Sequence, residues 1–375
     1  MRNTRLMSAT PIYPYLRDGV DVYLGESDEV TFVYLSTRKR LTVKCHPGLI
    51  QSLTWMRGRK TVGDIQILFR KNYPQSGLDE QKVEDFINYL HKKNIIVDEK
   101  WFDNLCLPTG YQERLKRQLY FLMDLVDDPS RVESIQRRIL ATTVAICGVG
   151  AMGGWIAREL AMMGFLRFVL IDPDTTEASD VARHVFSSSL SSGEVKVDVV
   201  AQGLSAIDPD ICVVTHSIAL NVETNLDEVM DGVGLLINAA DEPYIGYTSV
   251  KLSRYAVKKN LPLLVAGGFD AHLASFGEMI VPRKTPCADC YVNFFRVSLA
   301  DWKPVPHPVA NRSRGFGGWS PLSVVSASAS ALQVLKYFID PKLVYKGKRT
   351  EFLAPDYSTY SFEVTRDIRC KICGY

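Results

Sequence analysis

Thr142-Thr-Val-Ala-Ile-Cys147 is a short apolar run that leads directly into Gly148-Val-Gly150-Ala-Met-Gly153, and an apolar helical segment follows from Trp155 to Met163. A strand, a glycine-rich turn and a helix in that order make the first half of a βαβ unit. Glycines here allow a tight turn and let backbone N–H groups and the helix N-terminus approach a phosphate. The next apolar run, Phe168–Ile171, ends in Asp172-Pro-Asp174, 24 residues after Gly148. A carboxylate at that place can bind the ribose hydroxyls of NAD or of an adenine nucleotide. Working outward, Cys212–Thr215, Leu235–Ala239 and Pro262–Ala266 are further short apolar runs between helical patterns. They read as strands buried on both faces, and the expected fold is α/β, a Rossmann-like domain with a mostly parallel sheet.

Charged residues downstream of the glycines separate a redox coenzyme from a triphosphate. Arg183 lies just past the Asp-Pro-Asp turn, Lys196 follows the Gly193 break at the start of a helix, and Asp241 ends the strand that begins at Leu235. For any one of them a solvated surface charge is an equal reading. Cations for phosphates plus a carboxylate for Mg²⁺ is the set that adenylyl transfer requires, and in this order it favours ATP.

Eight cysteines in 375 residues are too few and scattered for a disulfide scaffold. Cys287-Ala-Asp-Cys290 and Cys370-Lys-Ile-Cys373 are two CxxC knuckles, the pattern of a tetrahedral Cys₄ zinc site that is closed and structural. A redox CxxC would need one exposed pair with a low-pKa thiol.

Ahead of this domain, residues 20–105 read as a small α+β unit. Val30–Leu35 and Leu41–Cys45 form a hairpin, and helical patterns cover His46–Trp55, Thr61–Phe69 and Asp79–Asn94. Val83, Phe86, Ile87 and Leu90 share one face of the last. Pro108–Arg138 is charged and helical. The expected division is residues 1–107 as a recognition domain, 108–139 as linker helices and 140–375 as the nucleotide-binding domain.

Hydrophobic residues at 46% and charged residues at 23% exclude a disordered chain, and a net charge of +2 gives no basic bulk for nucleic acid. The apolar stretch from Thr143 to Phe165 carries Arg158, Glu159 and five glycines, so no membrane span is expected there. The first residues show no apolar core with a cleavage site, and the expected location is cytoplasmic.

Gly148–Gly153, Asp172-Pro-Asp174, Arg183, Gly193-Glu-Val-Lys196, Ala240-Asp241 and the paired knuckles, in this order, resemble the E1-type adenylating enzymes of the ThiF/MoeB class over about Tyr111 to Tyr375. The resemblance implies ATP and Mg²⁺ as cofactors and Zn²⁺ as a structural ion. It puts Gly148, Gly150, Gly153, Asp172 and Asp174 at the nucleotide, with Asp172 on the ribose, Arg183 and Lys196 on the phosphates and Asp241 on Mg²⁺. Arg117 resembles the family arginine that reaches into a neighbouring subunit, which implies a homodimer. Asp180 departs from the family, which usually has Asn; an added negative charge near phosphates weakens ATP binding unless metal or Arg offsets it. Family members that form a thioester or persulfide use a cysteine after the first CxxC, and no cysteine lies between Tyr291 and Arg369. Activation without covalent transfer to the enzyme is expected, with the mixed anhydride attacked by a group on the substrate.

The front region, short strands followed by three helices, resembles the PqqD-like leader-recognition module of enzymes that modify ribosomally made peptides. An extended leader would add beside Leu41–Lys44 while its apolar side chains press on the Val83–Leu90 helix. A winged-helix-like dimerisation or DNA-binding unit, with Arg38, Lys39, Arg40, Arg57, Arg59 and Lys60 as its cations, is the competing reading. The two resemblances together imply adenylation of a carboxylate in a precursor peptide, a glutamate side chain, then intramolecular cyclisation with release of AMP and pyrophosphate in peptide-antibiotic biosynthesis. Alternatives are a peptide C-terminus, a sulfur-carrier protein ending in Gly-Gly, and a scaffold without activity. The basic and aromatic stretch His307–Trp319, with Arg312, Arg314, Phe316 and Trp319, suits a cover over peptide acid groups.

Overall fold

The computed structural model describes residues 12–374 apart from 27, 127, 267–273, 302, 304 and 306–317. Two compact units divide the chain, Met1–Arg137 and Arg138–Tyr375.

In the first unit, β1 (Pro14–Leu16), β2 (Val20–Leu24), β3 (Glu29–Tyr34) and β4 (Arg40–Lys44) precede helices α1 (Pro47–Ser52), α2 (Val62–Asn72) and α3 (Glu80–Lys92). β5 (Ile96–Asp98) pairs back with β1, while β2, β3 and β4 form an antiparallel sheet in that order. The expected hairpin is therefore two strands of a three-stranded sheet. Thr61 and Asp64 form a reciprocal capping box that starts α2, and Asp79 caps α3 by accepting from the Lys82 N–H. Val30, Phe32, Ile65, Phe69, Val83, Phe86, Ile87 and Leu90 make one core. That corrects one expectation: the Val83–Leu90 face is consumed by its own unit and is not offered to a leader. The helices α4 (Tyr111–Arg114) and α5 (Lys116–Leu125) belong to this unit too. The buried Arg17 ties α5 to β1, donating to the Asp124 carboxylate and, at 2.7 Å, to the Asn94 carbonyl. A further helix, α6, covers Arg131–Ala141.

The second unit is built on β6 (Thr143–Cys147), α7 (Ala151–Met162), β7 (Arg167–Ile171), α8 (Lys196–Ile207), β8 (Cys212–His216), α9 (Leu226–Val229), β9 (Leu235–Asn238), α10 (Ile245–Lys259) and β10 (Leu263–Val265). After these come β11 (Ala274–Ser275), β12 (Glu278–Ile280), α11 (Ala288–Ser298), α12 (Ser320–Ile339), β13 (Lys348–Leu353) and β14 (Ser358–Glu363). The sheet order is β12-β10-β9-β6-β7-β8, parallel throughout except for β12. The strand order reverses between β6 and β9, and in open α/β sheets ligands bind beyond the strand ends at that switch point. The α/β expectation holds, with one local correction: β8 is an edge strand whose Cys212 is exposed, not a strand buried on both faces.

Neither α12 nor the small β11-β13-β14 sheet was expected from the sequence. α12 is long and apolar enough to cross a membrane by length and composition alone. Here it packs along α7, burying Ser326, Ala327, Ser330, Ala331, Val334 and Phe338, with Phe338 edge-on to Phe165. Small residues on that face let the two helices approach closely.

Candidate active site

Two of the three loop glycines are explained by the fold itself. Gly148 sits at φ +82, where a Cβ would lie 2.6 Å from the Ala239 and Ala240 backbone. A Cβ on Gly153 would lie 1.9 Å from the Gly148 carbonyl oxygen. Gly150 is different. Its nearest neighbour is the His184 ring, at an ordinary contact distance of 3.6 Å, so a Cβ there would meet no clash. Gly150 also caps α7 without a side-chain hydrogen bond, which leaves first-turn N–H groups available to an anion.

Asp172, at the end of β7, is buried. Its Oδ2 accepts from the Val149 N–H at 2.8 Å and its Oδ1 from the Asp174 N–H at 3.0 Å. Burial raises its pKa, against those two donors and Lys196. Each oxygen keeps a second lone pair for a hydroxyl donor. Lys196 opens α8 with its side chain 10% exposed, and its Nζ lies 2.9 Å from Asp174 Oδ2. Burial disfavours the charged amine, but Asp174 and Asp172 outweigh it and lift the pKa above the ordinary lysine value.

Asp180 resolves the question its charge raises. It is buried, accepts from the Glu177 N–H at 3.0 Å, and its Oδ1 lies 3.2 Å from His184 Nε2 and 3.4 Å from an Arg183 Nη. Burial opposes ionisation, yet the Glu177 N–H and the neighbouring cationic groups hold its pKa below the carboxylate range. The charge thus serves to position Arg183 and His184. The Arg183 carbonyl also accepts from Trp155 Nε1 at 3.2 Å. His184 is neutral at pH 7, pushed down to about 4 mainly by burial, so Nε2–H donates to Asp180. His184 and Trp155 were missed; a histidine immediately after Arg183 was the available signal.

Asp241 is exposed and lies three residues past the end of β9, the strand neighbouring β6, not at the strand end as expected. A buried polar net orders the chain just before it. Asn238 Nδ2 donates to Thr248 and Ser249 at 3.0 Å, its Oδ1 accepts from the Ala240 N–H, and Thr248 Oγ1 donates to the Ala240 carbonyl at 2.6 Å. The structure therefore gathers Gly148, Gly150, Gly153, Asp172, Asp174, Arg183 and Lys196 around the β6 and β7 ends, with Asp241 past the adjacent β9 end. Arg117 is exposed on α5 in the first unit. Of the His307–Trp319 stretch, Arg312, Arg314 and Phe316 lie outside the described residues, and Trp319 is exposed.

Cys287, Cys290, Cys370 and Cys373 are all buried, and their sulfurs lie within 4.8 Å of one another. Sγ separations of 3.9, 3.7 and 3.5 Å match the edge of a tetrahedron with Zn–S of about 2.3 Å, roughly 3.8 Å. Burial of all four argues against a redox pair.

The sequence model of the ThiF family matches residues 116–372. Protein HesA of Nostoc sp. (strain PCC 7120 / SAG 25.82 / UTEX 2576) is 27% identical over 255 residues, covering 66% of this chain and 90% of that protein. Among solved structures, E. coli MccB with ATP superposes with a TM-score of 0.69 at 20% identity, covering 96% of this chain and 99% of that one. The same enzyme, described as the microcin C7 biosynthetic enzyme, has been solved with N-formylated MccA. PaaA superposes with a TM-score of 0.69 at 20% identity, covering 94% of this chain and 100% of that one.

Proposed function

The chain belongs to the ThiF family and is an ATP-dependent adenylating enzyme; on that premise we propose that its acyl substrate is a glutamate side-chain carboxylate of a ribosomally synthesised precursor peptide, held by its leader on the first unit. The observation that carries the reading is the reach of the fold likeness. The family match begins at residue 116, whereas the likeness to MccB and PaaA covers 96% and 94% of the chain and so includes the first unit. MccB was solved with a peptide, MccA.

The residues divide the work. Asp172 takes the ribose hydroxyls, the Gly150 turn and the α7 N-terminus take phosphate, and Arg183 and Lys196 neutralise phosphate charge. Asp241 would hold Mg²⁺, which supplies further charge neutralisation as pyrophosphate leaves. A peptide carboxylate oxygen attacks the α-phosphorus, and the bond to the bridging β-phosphate oxygen breaks. A nitrogen of the same peptide then attacks the acyl carbon; the C–N bond forms, AMP leaves with the C–O electron pair, and the nitrogen's proton passes to solvent. No cysteine lies between Tyr291 and Arg369 to intercept the acyl group. Arg117 acts across a homodimer interface, and the four cysteines hold Zn²⁺ as a structural ion in a cytoplasmic enzyme.

The leader adds to the open edge of β4. Cys45 N–H donates to the Asp28 carbonyl across the sheet, so by strand alternation Val43 and Leu41 face β3 while Thr42 and Lys44 turn their N–H groups outward. With the Val83–Leu90 face buried, leader side chains meet the half-buried Leu41 and Val43. The test uses the precursor peptide, ATP and mass spectrometry: water loss with AMP and pyrophosphate released is expected. A nucleotide retained on the peptide would mean C-terminal adenylation, and turnover of only a folded Gly-Gly carrier would defeat the reading. Lys196→Ala should slow pyrophosphate exchange by roughly 10²–10³-fold, whereas Thr42→Pro should weaken peptide binding and leave ATP binding unchanged.

A further inference from the structure

A second pocket, partly open to solvent, lies in the second unit. A cavity of 240 Å³ sits between α10, through Ile245, Ser249 and Val250, and α11, through Tyr291, Val292 and Phe295. Its walls are mostly apolar, with the Ser249 and Tyr291 side chains among them, and β12 and β13 bring the charged Glu278 and Arg349 to it. Arg349 pairs with two carboxylates, Glu278 at 3.2 Å and Glu351 at 3.3 Å, and all three residues are buried. Tyr291 also hydrogen-bonds Glu278. Two carboxylates share one guanidinium, and burial raises the Glu278 pKa against Arg349 and Tyr291. Glu278 Oε2 carries the visible deficit: it is buried and has no hydrogen-bond partner among the described residues. A buried acceptor left unpaired is costly.

Size and charge together specify an occupant. A hydrocarbon-lined cavity of about 150 Å³ holds a benzene ring, so this one admits an apolar stem of that bulk with a head group. We propose that the cavity binds a primary ammonium on a short apolar stem, its N–H donating to Glu278 Oε2 and its charge balancing the Glu278–Arg349–Glu351 cluster. Ile245 follows Asp241 by four residues, so the bound amine sits on the β9–β10 side of the switch point. The inference does not depend on the peptide reading, because the amine can be tested without ATP or a precursor.

The experiment is calorimetry on the full chain with hexylammonium, hexanol and hexanamide. Hexylammonium should bind, and more tightly than either neutral analogue. Glu278→Gln should weaken hexylammonium by about tenfold or more and leave hexanol unchanged. Val292→Trp, from the half-exposed wall, should block all three while preserving the thermal midpoint, which separates filling from misfolding. Nα-acetyl-lysine methylamide identifies the source: affinity near that of hexylammonium means a peptide lysine, and exclusion means a free amine. Equal binding of hexylammonium and hexanamide, or an unchanged affinity in Glu278→Gln, overturns the proposal.

Discussion

Asp172 and Glu278 are two buried carboxylates of one unit with opposite local arrangements. Asp172 sits 6% exposed at a strand end, with each oxygen taken by a backbone N–H and a lysine close by. Glu278 is as deeply buried, 8% exposed, but leans on a shared arginine and leaves one oxygen unmet. Burial raises the pKa of both. The contrast teaches how a site is preorganised. Asp172 and the loop glycines are set within one βαβ unit, where backbone N–H groups and close approach fix their geometry. The Glu278 cluster is assembled from strands far apart in sequence, and Glu278 Oε2 has no partner among the described residues.

Three changes test that contrast. The largest effect is expected from Gly153→Ala. A methyl group 1.9 Å from the Gly148 oxygen forces α7 away from its loop, costing several kcal/mol, on the order of 3 or more, and abolishing ATP binding by calorimetry. Retained ATP affinity would show that the loop is not rigid.

Next is the metal. Zinc analysis should give one ion per chain, lost in Cys373→Ser. Because Cys287 caps α11 and Cys290 lies in its first turn, that loss should loosen α11 and weaken hexylammonium by about tenfold, taking ~1.4 kcal/mol as tenfold. ATP affinity should change far less. Equal losses at both sites would mean that the two regions are one cooperative structure.

The smallest effect is on stability against pH. His184 has its pKa lowered from 6.5 to about 4 by burial, so the unfolded chain takes up that proton first. Its contribution is fully present above about pH 6.5 and is lost as pH falls toward 4, with Asp180 adding loss in the same direction lower still. The thermal midpoint should fall across this window, and His184→Gln should flatten the fall. An unchanged slope would place the acid sensitivity elsewhere.

The nucleotide half was legible because its information is contiguous: glycines, strand and acid lie within one βαβ unit. What escaped was non-local. Cys212 read as buried because an edge position depends on strand order, which composition does not carry. α12 was passed over because the first half of its buried face, Ser326 to Ala331, is serine and alanine, which give almost no periodic contrast. The periodicity of Val83 to Leu90 told that the face is covered without telling by what. Glu278 and Arg349 lie 71 residues apart, and no spacing rule joins them. Asp180 looked like a misplaced charge until the fold put His184 and Arg183 beside it.

The Lys196–Asp174 pair, 2.9 Å long with Asp174 half exposed, bears on how a triphosphate is selected. The ammonium is never bare: before any substrate arrives, the enzyme's own carboxylate serves as a tethered competitor. On the proposed reading, in which Lys196 meets phosphate, an incoming anion must displace that placeholder, and a polyanion is better placed to do so than a single weak charge. The same exchange spares the lysine a desolvated interval each time product departs.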